Sequence, residues 1–260
     1  MGWWDVVNKR GRMIVKDLLK RNKIIVSIVR ALRRLEYRRM ARTDARPFNG
    51  DHVMARTVDF LLTECDVKFF IETGTYLGQT CRYLASRHPH LPIITIESNP
   101  DFFDSAQSVL RRYANVKSIL GDSAVTVSQL VQDGIEGLPL FFLDAHWGDY
   151  LPLTEEIHSI GLHLTDAIMV IHDFQVPGMD YGFDVCKGQA IGIEMLAANI
   201  NKSKSYQVYC PIYTYEQAFS ILPKPNQQLR GYAIIFQGAW KSAERFAASE
   251  HVQWYFLGDL

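Results

Sequence analysis

A chain of 260 residues has room for one large domain or for a domain with an appendage, and an apolar fraction of 48% can build a sizeable core. Its zero net charge hides an asymmetry: residues 1–46 carry 14 Lys/Arg against 4 acids, and the remainder 14 basic against 24 acidic residues, which predicts two regions with different tasks. Four cysteines without a CxxC pair or a nearby His/Cys cluster argue against a disulfide framework or zinc site and for a reducing cytosol, and no apolar run approaches a membrane span.

In chain order, residues 13–35 come first, "MIVKDLLKRNKIIVSIVRALRRL". They set Ile14, Leu18, Ile25, Val29 and Leu32 near helical spacing with Lys and Arg between, behind Trp3 and Trp4. Such a basic amphipathic helix can pack on the acidic remainder or cap its ligand pocket, lie on an anionic membrane through residues 3–35, or meet an acidic partner or nucleic acid. "MGWWDV" lacks the Ser/Thr that myristoylation needs. Residues 1–48 therefore read as a basic helical extension and 49–260 as the main domain.

From 66 onward apolar β-rich runs alternate with helical patterns. Strands are expected at 67–73, 92–98, 116–122, 138–145 and 167–174, with helices at 79–88, 101–114, 123–132 and 153–164 between and after them. Residues 176–188 read as a Gly/Pro-containing loop of lid length, with Met179, Tyr181 and Phe183 able to close over a ligand. A helix at 189–200 and closing strands at 205–212 and 231–238 complete the chain. Strands with little polar alternation fit a parallel sheet covered on both faces. The expected fold is α/β: a Rossmann-like, doubly wound, mostly parallel seven-stranded sheet behind the basic extension.

Ligands of such sheets bind beyond the carboxyl ends of the strands, and polar residues gather there. Glu72 and Gly74 follow the first strand, Glu97 the second, and Asp122 and Ser123 the third. Asp144 and His146 follow the fourth, His172 and Asp173 the fifth. Acids at five consecutive strand ends say more than any one of them. His158 and His163, five apart on a helix, read as surface or packing residues.

These residues carry a resemblance. From about 66 to 238 the chain resembles the class I S-adenosylmethionine-dependent methyltransferases. "IETGTYLGQT" is similar to that family's acid-x-Gly-x-x-x-Gly motif, "TIES", "GDS" and "LFFLDAHWGDY" to its second, third and fourth strand ends, and "MVIHDF" to the fifth-strand segment of its small-molecule O-methyltransferase branch. The resemblance implies that Glu72, Gly74, Thr75, Gly78, Thr80, Glu97, Ser98, Asp122, Ser123 and Asp144 hold S-adenosylmethionine. Glu72 would repel a pyrophosphate and suits the methionine ammonium, whereas dinucleotides favour G-x-G-x-x-G opening a helix. Glu97 would accept from the ribose hydroxyls. Asp122 and Ser123 would lie by the adenine, unless Asp122 only caps the following helix.

Methyl transfer needs alignment of donor and acceptor and, for a hydroxyl acceptor, removal of a proton. Asp144, His146, His172 and Asp173 are the catalytic candidates. In one version Asp144 and Asp173 ligate Mg²⁺; His172, where metal-dependent relatives carry a second acid, shifts the expectation toward another divalent metal that accepts imidazole. In the other, His146 or His172 is the general base. Trp147 and Tyr150 could line the acceptor pocket or pack under the next helix. The expected partner is a small-molecule or sugar-containing acceptor methylated on oxygen. Nucleic acid is disfavoured by the acidic main domain, and an oligomer is open. The expected location is the cytoplasm, with peripheral membrane contact through the basic helix. The rival readings are an NAD(P)-dependent oxidoreductase and a non-catalytic binding protein recruited by its N-terminal helix.

Overall fold

The computed structural model describes residues 23–146, 150–219, 228–249 and 253–260. Trp3, Trp4, Ile14, Leu18 and Trp147 lie outside the described residues. Helix α1 (Lys23–Thr43) opens the described chain, a 3-10 turn (Pro47–Gly50) follows, and α2 (His52–Glu64) leads into the sheet. Strands and helices then alternate: β1 (Val67–Thr73), α3 (Gln79–Arg87), β2 (Ile93–Glu97), α4 (Pro100–Leu110), β3 (Val116–Leu120), α5 (Ser123–Asp133), β4 (Leu138–Leu143), α6 (Leu153–His163) and β5 (Ala167–His172). A small hairpin β6 (Val185–Cys186) and β7 (Gln189–Ala190) precedes α7 (Ile193–Asn199), β8 (Tyr206–Ile212), α8 (Tyr215–Phe219), β9 (Tyr232–Gln237), α9 (Trp240–Ala247) and β10 (Gln253–Asp259).

The main sheet has the order β10-β8-β9-β5-β4-β1-β2-β3. β3, β2, β1, β4 and β5 run parallel, while β9, β8 and β10 are each antiparallel to the preceding neighbour. Eight strands replace the expected seven. The eighth is β10, whose aromatic run pairs with β8 and whose Trp254 meets Tyr209 edge-on at 5.0 Å. The central strands behave as their composition demands: every residue of β5 and β9 is buried, and all but the first of β4. β3, at the edge, has no buried residue.

Strand order reverses beside β1, which has β4 on one side and β2 on the other, so a crevice opens between their carboxyl ends. Gly74 makes that junction possible: its φ is +85°, and a Cβ there would collide with the Asp144 carbonyl oxygen. Gly78, with φ +78°, starts α3 against Leu110 and Ala106 of α4. The helices carry their own start signals. Asn99 caps α4 by accepting from Asp101 and Phe102 N–H groups, and Asp51 caps α2 at 2.8 Å from Met54 N while also taking the Tyr213 hydroxyl at 2.8 Å. The segment expected as helix from 189 begins instead with β7, since Gly192 stands before α7. The 176–188 loop is tied down: Gly182 bonds Leu229 and Gly231, and Asp184 N–H donates to Asp173. Tyr181 is buried there and exchanges hydrogen bonds with the Tyr213 backbone.

Candidate active site

Two adjoining cavities open at the carboxyl ends of β1, β4 and β5. The larger, about 750 Å³, is walled by Tyr76, Glu97, Phe102, Ser123, His146 and Arg230 among others. The smaller, about 80 Å³, lies among Arg46, Phe48, Glu72, Thr75, Gln79 and Thr80. Asn49, Gly74, Tyr76, Asp144 and His172 belong to both walls. A volume of the larger size suits a small molecule or cofactor. Among the described residues with positive φ other than glycine, Phe48, Asn49, Tyr76 and Asp173 all line these cavities, which concentrates backbone strain where a ligand would sit.

The residues of the glycine motif divide between the cavities and the scaffold. Glu72 is 2% exposed and lines the smaller cavity, with one oxygen accepting from the Thr95 hydroxyl at 2.6 Å and the Cys81 thiol at 3.0 Å. Burial, opposed by these two donors, raises its pKa to about 7. Thr75 and Thr80 line the same cavity, and Thr80 accepts from the Phe48 N–H at 3.1 Å. Gly78 serves helix packing. Glu97 bridges two loops, accepting from Tyr76 N–H and Asn99 N–H, each at 2.8 Å, and its pKa is raised by burial. Ser98 and Ser123 stand in the wall of the larger cavity. Asp122 caps α5 through Val125 N–H and takes the Tyr150 hydroxyl; the neighbouring wall is formed by Gly121, Ser123 and Tyr150.

The four catalytic candidates converge. His172 Nδ1 lies 3.0 Å from Asp144 and 3.5 Å from Asp173. Burial disfavours its charged form, but the two carboxylates outweigh that and lift its pKa to about 9, so His172 is a cation at neutral pH. His146 Nε2 is 3.1 Å from Asp173 and 3.5 Å from Asp184. Burial opposes protonation of His146 too, and the hydrogen bond and charge of Asp173, with Asp144, tip its pKa upward. Arg230, just before β9, bridges Asp173 and Asp184. Burial pushes the Asp173 carboxyl up, and His172, His146 and Arg230 override it and hold it well below the usual range. One ligand atom each from Asp144, His146 and Asp173 lies within 4.8 Å of the others.

Several members of this site were not among the residues read from sequence. Arg230 and Asp184 arrive from the segments just before β9 and β6; Arg46, Phe48 and Asn49 arrive from the turn before α2 and its cap. Glu156, in the first turn of α6, lies outside both cavity walls and is 1% exposed. Burial raises its pKa to about 7 against the pull of Ser123, Thr73 and His146. His158 and His163 are exposed, as expected of surface residues. The four cysteines are free and buried.

No protein-family model matches the chain, and no curated protein sequence does. Solved structures match its fold. A protein from Klebsiella pneumoniae assigned as an O-methyltransferase aligns over 87% of this chain and 94% of its own, at 13% identity with a TM-score of 0.52. The O-methyltransferase from Bacillus cereus in complex with SAH aligns over 86% of this chain and 96% of its own, at 15% identity with a TM-score of 0.51. MtNAS in complex with MTA and tNA is matched over 70% of this chain and 60% of that chain, at 12% identity, and its TM-score of 0.42 is too low to carry weight. The doubly wound sheet, with its crevice beside β1, is the fold of these two O-methyltransferases.

Proposed function

We propose that the chain transfers a methyl group from S-adenosylmethionine to an oxygen of a small-molecule acceptor, of the size a sugar-containing metabolite has, in the cytoplasm. One observation carries the reading: the two cavities adjoin through a shared wall that includes Gly74 and Asp144, so a donor spanning both would bring its reacting centre beside Asp144 and leave the rest of the larger cavity for an acceptor. In this reading Glu72 faces the amino-acid ammonium of the donor, Thr75 and Thr80 line the same pocket, and Glu97 offers its remaining lone pairs to the ribose. Ser98 and Ser123 flank the nucleoside. Residues 1–48 form the basic extension, whose last turn completes the smaller cavity, and 49–260 form the transferase domain.

The chemistry asks for in-line alignment and a place for the acceptor proton. Asp144 is the carboxylate nearest the junction, and His172, cationic, holds it in place from behind. His146 Nε2, oriented by Asp173, is the imidazole atom that faces the carboxylates. Arg230 bridges Asp173 and Asp184 and favours the ionised form of Asp173. Asp144, His146 and Asp173 also fit a divalent cation, because two carboxylates and an imidazole converge on one point; that donor set suits an imidazole-accepting metal at least as well as Mg²⁺. Such an ion, when bound, would lower the pKa of the acceptor hydroxyl.

The test is a methyl-transfer assay with isotopically labelled S-adenosylmethionine against a panel of hydroxylated metabolites, with and without Mg²⁺, Mn²⁺ and chelator. Turnover on at least one acceptor, lowered by about 100-fold or more in Asp144→Asn, supports the reading. NADH-dependent reduction by the same preparation would replace it with the oxidoreductase.

A further inference from the structure

Helix α1 is stitched to the domain along one side. Tyr37 packs edge-on against Phe102 of α4 at 5.0 Å, Arg34 reaches Asp101 at 2.6 Å, and Ala41 is fully buried. Arg82 of α3 holds its end through the Ala41 and Asp44 carbonyls at 2.8 and 2.6 Å. At 100° per residue, Ile28, Leu32 and Leu35 lie on the opposite side, one above another. They are 54%, 60% and 62% exposed, which groups three of the large exposed aliphatics of the described chain on a single ridge.

Positive charge flanks that ridge on one side, and Glu36 stands at the other. Arg39 and Arg42 continue it toward the helix C-terminus, Arg38 flanks it, and Arg30 and Arg33 lie nearer the domain side. All five are exposed, and none makes an ion pair among the described residues. Glu36 is the only acid within α1. Among the described residues no helix is long and apolar enough to cross a membrane. Single exposed leucines need no explanation, but an aliphatic ridge within a basic helix, pointing away from the packed face, matches the surface of a helix that lies in a lipid interface.

We propose that the outward face of α1 docks on an anionic lipid surface. Ile28, Leu32 and Leu35 enter the headgroup boundary, and Arg38, Arg39 and Arg42 meet lipid phosphates and carboxylates. Clamped by Arg82 and packed on α4, α1 would then hold the two cavities at a fixed distance from the membrane. The occupant is an anionic bilayer because the face combines both things that a bilayer boundary offers a partner: apolar depth at the centre and negative charge around it.

Sedimentation of the full chain with sucrose-loaded vesicles tests this. The vesicles are phosphatidylcholine alone or phosphatidylcholine with phosphatidylserine, and the variants are Ile28→Gln/Leu32→Gln/Leu35→Gln and Arg38→Gln/Arg39→Gln/Arg42→Gln, each checked for folding by circular dichroism and thermal melting. The wild type should partition onto the anionic vesicles at least about tenfold more strongly than onto neutral ones, and each variant should lose about tenfold or more. High salt should weaken the wild type and barely alter what the arginine variant retains. Absence of binding to anionic vesicles, or equal binding by the aliphatic variant, would overturn the proposal. Sedimentation velocity serves as a second arm: concentration-dependent dimers abolished by the aliphatic variant, without vesicle binding, would give the ridge to a second copy of this chain instead.

Discussion

At neutral pH Glu72 is divided between its protonated and ionised forms, because burial lifts its pKa to about 7. An ammonium ligand needs the carboxylate, so below pH 7 binding must first expel a proton. Affinity for S-adenosylhomocysteine should therefore fall by about tenfold per pH unit below 7 and level off above it, and Glu72→Gln should flatten the profile. Calorimetry in buffers of different ionisation enthalpy would register the released proton; a pH-independent affinity would remove Glu72 from the ammonium site. The same burial makes the unliganded protein lose stability as pH rises from the ordinary carboxylate range to 7, since the folded state binds the extra proton. Which side chains line the candidate site was partly legible in the chain. Glu72, Glu97, Asp144, His172 and Asp173 follow apolar strands, and a parallel sheet carries every strand end to one edge. Arg230, Asp184 and Asn49 had no such marker. Each reaches the site through a distant crossing, and nothing adjacent to them in the chain says which carboxylate they will meet.

Elements were readable where burial imposes a pattern on composition. β1, β4 and β5 are buried on both faces and so appear as apolar runs; Asn99 and Asp122 announce the helices that they cap. β10 lacked that pattern. Its aromatic residues are partly exposed at the sheet edge, and its partner β8 lies more than 40 residues upstream, so only pairing reveals it. The 176–188 segment was legible as a loop but not as a hairpin anchored on Leu229 and Gly231. At this scale the joint between α1 and the glycine-loop helix is the feature with consequences. Arg82 supplies charge-assisted hydrogen bonds to the Ala41 and Asp44 carbonyls, which the helix end otherwise leaves without a partner. Arg82→Ala should speed amide exchange over residues 36–46 by roughly 10–100-fold while β1, β4 and β5 keep their protection. Unchanged exchange would mean that the Tyr37–Phe102 and Arg34–Asp101 contacts hold α1 without Arg82.

For the whole molecule, the charge asymmetry of the sequence resolves into a geometric one. At the strand ends His172 and Arg230 face Asp144, Asp173 and Asp184, and outside that site α1 carries seven basic residues against Glu36. The proposed methyl transfer requires that the crevice beside β1 take an adenosyl ligand. Calorimetric titration with S-adenosylhomocysteine, run beside NADH and on a Glu97→Ala variant, tests this most directly. Micromolar binding by the wild type, weakened at least about tenfold in the variant and absent for NADH, is the predicted result. NADH binding without S-adenosylhomocysteine binding would contradict it.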